Sequence, residues 1–393
     1  MTVTHKFLLS LLASAAYVSA QQLPVSINNT FRVEYDDNVF TTGSSAVGKT
    51  DSFKLINQIE FLFDMEQNNT YAGVRYAPSL IWFDDRPGDS TDISHQLDLI
   101  LSQRFSPRSL LQLRNTLRYT QEPELTDNDV TVRLRNDFLF NSFNANFTQE
   151  LVPNKTTLRL DGRYVLMRYD DSAVAENNDY DQFAVGADLR YRLSPTADAG
   201  GQIRFTTTSY ENDLRDFDAF QVGGVFSQVL NPNFKIEARA GIEFRDADNA
   251  VEQTSETPYI DFSLVYLVSD LTRLNAGISY ANDLSPVNRF AQQERTRIHG
   301  SLSHRIAPDV TLQVSGSYAM GSFDLDDATS AFNPDVHTDG DENVIQFAIS
   351  AFYRLNVRNQ LELTWQYTEL DSDIRPLEDF ERNRVSLAWK YSL

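Results

Sequence analysis

Apolar and polar residues alternate with a period of two along almost the whole chain, in about eighteen stretches that come in pairs. In the clearest stretch the two series interleave as follows: Phe234, Ile236, Ala238, Ala240, Ile242 and Phe244 against Lys235, Glu237, Arg239, Gly241, Glu243 and Arg245. Successive side chains of a β-strand point to opposite faces of the sheet, so one face of this strand is apolar and the other is charged. The pattern predicts either a β-sandwich with one wet face or a membrane barrel with lipid outside and water inside.

The N-terminus has the features of an export signal. Lys6 precedes a short apolar run, and Val18-Ser19-Ala20 has the pattern of a signal cleavage site. The run is shorter than the ~20 apolar residues of a membrane helix, although an uncleaved anchor is the alternative. The sequence therefore predicts three parts: a signal peptide at 1–20, a short periplasmic segment at 21–29 and a β-barrel at 30–393.

Composition excludes several classes of protein. There is no Cys, so neither a disulfide framework nor a lipid-modified Cys is available. The net charge of −21 argues against a nucleic-acid partner, because binding phosphates requires clustered Lys and Arg. The mean hydropathy of −0.38 excludes a helical membrane protein. It does not exclude a barrel, because only half of each barrel strand faces lipid.

Short and long connections alternate along the chain. The short ones are rich in Pro, Asn, Asp and Ser, the residues of tight turns, and lie at 66–69, 106–108, 152–155, 194–196, 231–233, 269–270, 307–309 and 356–359. Nine longer, acidic connections separate them, as in outer-membrane barrels with short periplasmic turns and long outer loops. We therefore predict an all-β fold, a single transmembrane antiparallel β-barrel of about eighteen strands, with sixteen as the next count. Residues 130–135 are assigned to the third outer loop as a local hairpin.

The last residues form a further alternating strand. Its apolar members are Val385, Leu387, Trp389, Tyr391 and Leu393. Outer-membrane barrels usually end on such a strand, which serves as an assembly signal, although its last residue is often aromatic rather than Leu. The expected partners are thus the barrel-assembly machinery, outer-membrane lipid and lipopolysaccharide, in the outer membrane of a Gram-negative bacterium.

The polar face of the predicted strands is rich in arginine. An Arg or Lys at the lipid midplane costs ~2–4 kcal/mol, so these side chains must face a wet lumen. We take as candidate pore-lining residues Arg114, Arg118, Arg159, Arg163, Arg190, Arg192, Arg204, Arg239, Arg245, Arg295 and Arg297. They favour a water-filled pore for anionic or hydroxyl-rich solutes. The alternative is that arginines and acids pair across strands and only brace the wall.

The remaining side chains suggest a lipid-facing surface and a constriction. Aromatic residues near strand ends suit the membrane interfaces: Trp82, Tyr119, Tyr169, Tyr280, Trp365 and Tyr367. The longest loop, 322–341, is the candidate for a constriction loop, with a plain solvated loop as the alternative. Its candidate residues are Asp324, Asp326, Asp327 and Asp335.

The first predicted strand carries a recognisable motif, Tyr35-Asp36-Asp37-Asn38-Val39-Phe40. With this motif and the recurrent Pro-Asn and Ser-Pro turns, the chain resembles the beta-barrel porin type 2 family of outer-membrane proteins over most of its length. The resemblance implies a barrel that is often associated with exopolysaccharide export. It supplies no catalytic residues.

Catalysis has little support in the sequence. No G-x-S-x-G, H-E-x-x-H or P-loop motif is present, and no motif indicates a metal or a cofactor. Two functions therefore remain open. One is a porin forming a passive pore, for small solutes or for polysaccharide; the other is a plugged structural or adhesive barrel without transport.

Overall fold

The computed structural model describes residues 25–41, 49–86, 90–121, 126–127, 130–131, 136–213, 215–247, 253–286, 290, 292–324, 340–374 and 379–393. The predicted signal peptide at 1–20 lies outside this part of the chain. So do three residues of the candidate constriction loop, Asp326, Asp327 and Asp335.

Long strands make up nearly all of the described chain. The strands are β1 Val25–Asp36, β2 Ser52–Gln67, β3 Thr70–Phe83, β4 Thr91–Ser106, β5 Ser109–Thr120, β6 Thr126–Asp127, β7 Val130–Thr131, β8 Phe138–Val152, β9 Thr156–Tyr169, β10 Tyr180–Ser194, β11 Ala197–Tyr210, β12 Phe217–Asn231, β13 Phe234–Ala247, β14 Gln253–Ser269, β15 Thr272–Leu284, β16 Gln292–Ala307, β17 Val310–Phe323, β18 Gly340–Arg354, β19 Asn359–Ser372 and β20 Phe380–Ser392. One helix, α1, spans Ser172–Asn178. Within the described residues, no helix has the length and apolar character needed to cross a membrane.

Eighteen of these strands form one closed antiparallel sheet. Each strand pairs with its neighbours in chain order, and β1 pairs with β20, which closes the barrel. The short strands β6 and β7 pair only with each other, outside the barrel sheet. The predicted count of eighteen strands is therefore confirmed. The local hairpin in the third outer loop pairs 126–127 with 130–131, earlier than the predicted 130–135, of which 132–135 lie outside the described residues.

The first strand begins earlier than predicted. β1 starts at Val25, ahead of the expected barrel boundary at residue 30. The reason is that Val25–Asn29 already pair with β2, in a register that places Val25 opposite Phe63. Residues 25–29 of the expected periplasmic segment therefore belong to the barrel, and 21–24 lie outside the described residues.

All the short turns lie at one end of the barrel and all the long loops at the other. Asn68 and Asn154 adopt positive φ angles of 52° and 55° in two of the short turns. Asn tolerates this left-handed conformation better than most residues, which explains its recurrence at these turns. By analogy with other outer-membrane barrels, this short-turn end faces the periplasm.

The outer surface of the barrel is apolar. Leu189, for example, is 51% exposed, and its neighbours in the alternation, such as Val185, lie on the same face. Trp82 and Trp365 also lie on this surface, as predicted for interfacial aromatic residues. Tyr169 was expected among them, but it is buried inside the barrel, where its ring packs 5.7 Å from that of Phe138.

Candidate functional site in the barrel lumen

Contacts between strands that are not neighbours identify the inner face. Arg190 on β10 donates to Glu237 on β13 at 3.2 Å. Gln202 on β11 donates to the hydroxyl of Tyr259 on β14 at 2.6 Å. Only the concave side of a closed sheet brings such strands together. Tyr259 lies across Gly223, where a side-chain carbon would stand only 2.2 Å from the Tyr259 hydroxyl.

The register places all eleven candidate arginines on this inner face. Directly paired residues of neighbouring strands share a face. One row runs from Arg114 through Asn144 and Arg163 to Ala184, and another joins Arg159 to Asp188. The remaining candidates follow by the same alternation of residues along β5, β10, β11, β13 and β16. Their role in solute passage stays a prediction.

Many of these arginines form ion pairs. Carboxylates lie within 4.0 Å of these candidates: Arg190, Arg192, Arg204, Arg239, Arg245 and Arg295. Arg190 is almost fully buried and contacts two carboxylates, Asp188 at 3.0 Å and Glu237 at 3.2 Å. We call Arg190, Arg204, Arg239 and Arg245, with their acids, the paired wall. For these residues the structure supports the bracing role, because each guanidinium lies within 4.0 Å of a carboxylate of the barrel wall.

A second set of arginines has different surroundings. We call Arg114 and Arg118 on β5, with Arg159 and Arg163 on β9, the arginine strip. Across the described residues, Arg114, Arg118 and Arg159 make no ion pair, and the Nε of Arg118 is buried without a hydrogen-bond partner. Strand β8 lies between β5 and β9 and presents uncharged Asn144 and Asn146 to the lumen. Between β5 and β9, the strip therefore combines positive charge with neutral amides.

Arg159 and Arg163 of the strip border a lumenal cavity of about 680 Å³, together with Arg204, Arg239 and Arg245 of the paired wall. Its charged and imidazole side chains are Arg159, Asp161, Arg163, Asp188, Arg204, Arg239, Glu243, Arg245, Asp261, Asp283, Arg295, Arg297 and His299. Uncharged polar side chains also line it, among them Asn144, Asn146, Gln182, Gln202 and Gln221. Such a surface can hold water and offers hydrogen bonds to carboxylate and hydroxyl groups.

Toward the long-loop end, the inner face of β8–β11 becomes apolar. A cluster of buried residues contains Phe138, Phe140, Val165, Met167, Tyr169, Tyr180 and Tyr210. Helix α1 packs its Val174 and Ala175 against this cluster. Burial raises the pKa of the nearby Asp179 carboxyl, which accepts a hydrogen bond from the backbone N–H of Tyr169 at 2.8 Å. The loop containing α1 is thus folded inward over the wall.

Arg215 joins this inward loop to two others. Its guanidinium stacks over the ring of Tyr210 at 3.9 Å and is almost fully buried. It donates to the carbonyl oxygens of Asn177, at the end of α1, and of Ser285, after β15. The neighbouring Leu284 packs against two apolar clusters, on β8–β11 and on β12–β13. Segments from three outer connections therefore meet inside the mouth, which we call the mouth assembly.

The mouth assembly differs from the constriction expected in the sequence, which was the loop 322–341. Asp324 is the only candidate constriction residue within the described residues, and it is exposed. The apolar residues of the mouth assembly on β9 can be identified from the alternation of the sequence. Val165, Met167 and Tyr169 share the parity of Arg159 and Arg163, so they must lie on the inner face.

Solved structures with the same architecture are outer-membrane porins. OpdK of Pseudomonas aeruginosa, solved with vanillate, is 14% identical; the alignment covers 94% of this chain and 99% of that chain, with a TM-score of 0.50. The BenF-like porin of Pseudomonas fluorescens Pf-5 is 14% identical over 94% and 99%, with a TM-score of 0.51. OccK2 (OpdF) of Pseudomonas aeruginosa, solved in complex with glucuronate, is 14% identical over 95% and 100%, with a TM-score of 0.51. At these identities the similarity establishes the fold. No curated protein sequence matches the chain significantly.

A family model extends the agreement to the sequence itself. The model described as "Putative beta-barrel porin 2" matches residues 30–392, which includes almost every strand of the barrel. Family and structural neighbours are porins, which places the chain in the bacterial outer membrane. From its sequence and its closed eighteen-stranded barrel, the chain belongs to the putative beta-barrel porin 2 family.

Proposed function

We propose that this protein is a passive outer-membrane pore for small anionic or hydroxyl-rich solutes. The observation that carries the proposal is the arginine strip, in which three lumenal arginines lack an ion-pair partner within the described residues. A guanidinium without a carboxylate partner attracts anions from solution and can bind a carboxylate through two parallel hydrogen bonds. The transport step is diffusion and involves no chemical reaction.

The uncharged amides beside the strip support the same solute class. Asn144 is paired in register with Arg114 on one side and Arg163 on the other. A solute that carries both a carboxylate and hydroxyl groups would meet complementary partners along this row. Sugar acids and hydroxylated aromatic acids have this combination of groups.

Export of a polysaccharide is the other use proposed for such a pore. The mouth assembly favours small solutes, because buried side chains of β8–β13 and the inward α1 loop occupy the long-loop end of the lumen on that side. A polymer would require this packed mouth to open. The export proposal therefore depends on a wider state of the pore than the one described.

Planar-bilayer recording of the refolded mature protein tests the pore. Heat-modifiable migration in a gel first verifies that the barrel is folded. We expect single-channel conductance with a reversal potential, in a KCl gradient, that indicates a preference for anions. OpdK was solved with vanillate and OccK2 with glucuronate, so these two carboxylates are suitable blockers to apply.

The outcomes separate the alternatives. Block by glucuronate or vanillate, with little block by neutral sugars, supports an anion pore. Block by an acidic polysaccharide added at the short-turn side, without block by the small carboxylates, favours polymer export instead. A folded barrel that never conducts would contradict both pores and leave a plugged structural or adhesive barrel.

A further inference from the structure

The seam between the first and last strands is the shortest pairing that either strand makes. β1 and β20 form nine residue pairs, from Asn28–Ser392 to Asp36–Arg384. By contrast, β1 forms twelve pairs with β2, and β20 forms twelve with β19. Fewer residue pairs therefore stabilise the seam. The family motif at Tyr35–Phe40 lies at the long-loop end of the seam.

Asp36 holds the last strand through a buried ion pair. Its carboxylate accepts from the Nε of Arg382 at 2.9 Å and from the Nη2 at 2.5 Å. Lys54 on β2 lies 2.7 Å from the same carboxylate and 3.2 Å from Glu34. The side chains of Asp36, Lys54 and Arg382 are 0–1% exposed, so these charges depend on one another for neutralisation.

The next two residues, Asp37 and Asn38, also form hydrogen bonds with β20. Asp37 accepts two hydrogen bonds from Asn383, from its backbone N–H at 2.7 Å and from its side-chain amide at 3.0 Å. The backbone N–H of Asp37 donates to the carbonyl of Asn383 at 3.1 Å. Asn38 donates through its side chain to the carbonyl of Glu381 at 3.1 Å. Three consecutive motif residues thus contact three consecutive residues of the last strand.

The motif is also anchored to the wall on its other side. Val39 is buried against Ile81 and Phe83 on β3. The backbone N–H of Asn38 donates to the carboxylate of Asp36 at 3.1 Å, which fixes the bend after β1. The contacts to β20 therefore come from a segment that is already fixed to the start of the barrel.

We propose that Asp36–Asn38 form the receiving site for residues 381–383 of the last strand and select the register in which the barrel closes. A slip by two residues keeps every side chain on its original face, so the apolar-polar alternation cannot prevent it. Asp36 alone cannot prevent it either, because Arg384 would take the place of Arg382. Asp37 distinguishes the two registers, because the same slip would replace Asn383 with Val385, whose side chain cannot donate a hydrogen bond.

Engineered disulfides can report the register, because the chain contains no Cys. Val33 and Leu387 are paired in the native register, and Val33→Cys with Leu387→Cys reports it. A slip that places Val385 opposite Asp37 also places Trp389 opposite Val33, so Val33→Cys with Trp389→Cys reports the slipped barrel. In the native register that second pair is diagonal, at about 7–8 Å, beyond the usual reach of a disulfide.

The test introduces Asp37→Ala into both cysteine pairs in the full-length chain expressed in a Gram-negative host. We expect the slipped disulfide to appear and the native disulfide to decrease. The matched control is Asp92→Ala. It breaks another buried Arg–Asp pair at the same end of the barrel, in which Arg86 donates twice to Asp92 on β4 at 2.6 Å, and neither residue belongs to β1 or β20. This control should leave both disulfide yields unchanged.

Two results would overturn the proposal. One is a folded Asp37→Ala barrel that forms only the native disulfide at the wild-type yield. The other is slippage in Asp92→Ala as well, which would indicate general loosening. If Asp37→Ala yields no folded barrel, Asn383→Ala is introduced into the same two cysteine pairs. We expect the same appearance of the slipped disulfide and decrease of the native one. Asp37→Asn, which retains an acceptor oxygen, should restore the native register.

Discussion

The arginine strip and the paired wall lie on the same inner face and use the same residue type, but they differ in what surrounds each guanidinium. In the paired wall, Arg190 is buried between Asp188 and Glu237. In the strip, Arg114 and Arg159 are exposed to the lumen and make no ion pair with the described residues. An arginine on a pore wall is thus a structural group or a solute-binding group according to its neighbours.

The residues around each arginine produce this difference. On the paired wall, small residues such as Gly223 and Gly241 have no side chain to block the inner face. Long side chains can therefore extend across them to strands two or three positions away. On the strip, β8 separates the two basic strands with amides and offers no carboxylate opposite Arg114. The charges of Arg114, Arg118 and Arg159 are therefore left for solutes.

The largest effect is expected from breaking the paired wall. Arg190→Met leaves Asp188 buried without its cation, and removal of one partner of a buried ion pair costs about 3–5 kcal/mol. We expect a lower unfolding midpoint in denaturant, followed through the heat-modifiable band, with anion preference retained in the molecules that fold. The matched strip variant Arg159→Met should leave stability nearly unchanged. Equal destabilisation by both variants would remove the distinction between the two regions.

A smaller effect is expected from the mouth assembly. Arg215→Ala removes hydrogen bonds to the carbonyls of Asn177 and Ser285, and bonds to a charged group contribute about 1.5–3 kcal/mol. The loop containing α1 should then pack less firmly, so single-channel conductance should rise while the preference for anions persists. Unchanged conductance in a folded Arg215→Ala barrel would show that this packing does not limit the flow.

The smallest effect is expected from a single strip residue. A charge 4 Å from an anion in water contributes about 1 kcal/mol, so Arg159→Gln should weaken block by glucuronate by roughly fivefold. Arg192→Gln, at the short-turn end and 3.3 Å from Asp198, is the control and should have less effect. A larger loss of block in the control would shift the solute path away from the strip.

The sequence predicted the barrel because the relevant signals are local. Period-two alternation defines the strands, and turn residues such as Asn68 and Asn154 define where the chain reverses. The inner placement of the candidate arginines follows from the same parity. The inward position of Tyr169 also follows from the sequence, because Tyr169 and Arg163 are an even number of positions apart on β9 and therefore lie on the same face.

The pairing state of each arginine could not be predicted. Arg190 and Glu237 are separated by 47 positions and lie on strands that are not neighbours, so only the curvature of the closed sheet reveals the contact. The mouth assembly is similar, because Arg215 joins segments near Asn177 and Ser285 that no alternation connects. Such contacts depend on tertiary structure rather than on local sequence.

The most direct test of the central claim compares reversal potentials of the wild-type pore, the triple strip variant Arg114→Gln/Arg118→Gln/Arg159→Gln, and the wall variant Arg239→Gln in the same KCl gradient. We expect the triple variant to lose most of the anion preference of the wild-type pore, because the three lumenal guanidinium groups without an ion-pair partner are removed. The wall variant should keep that preference, since Arg239 lies 3.8 Å from Glu237 and is paired in register with a second acid, Asp261 on β14. A folded triple variant that is as anion-selective as the wild-type pore would contradict the account.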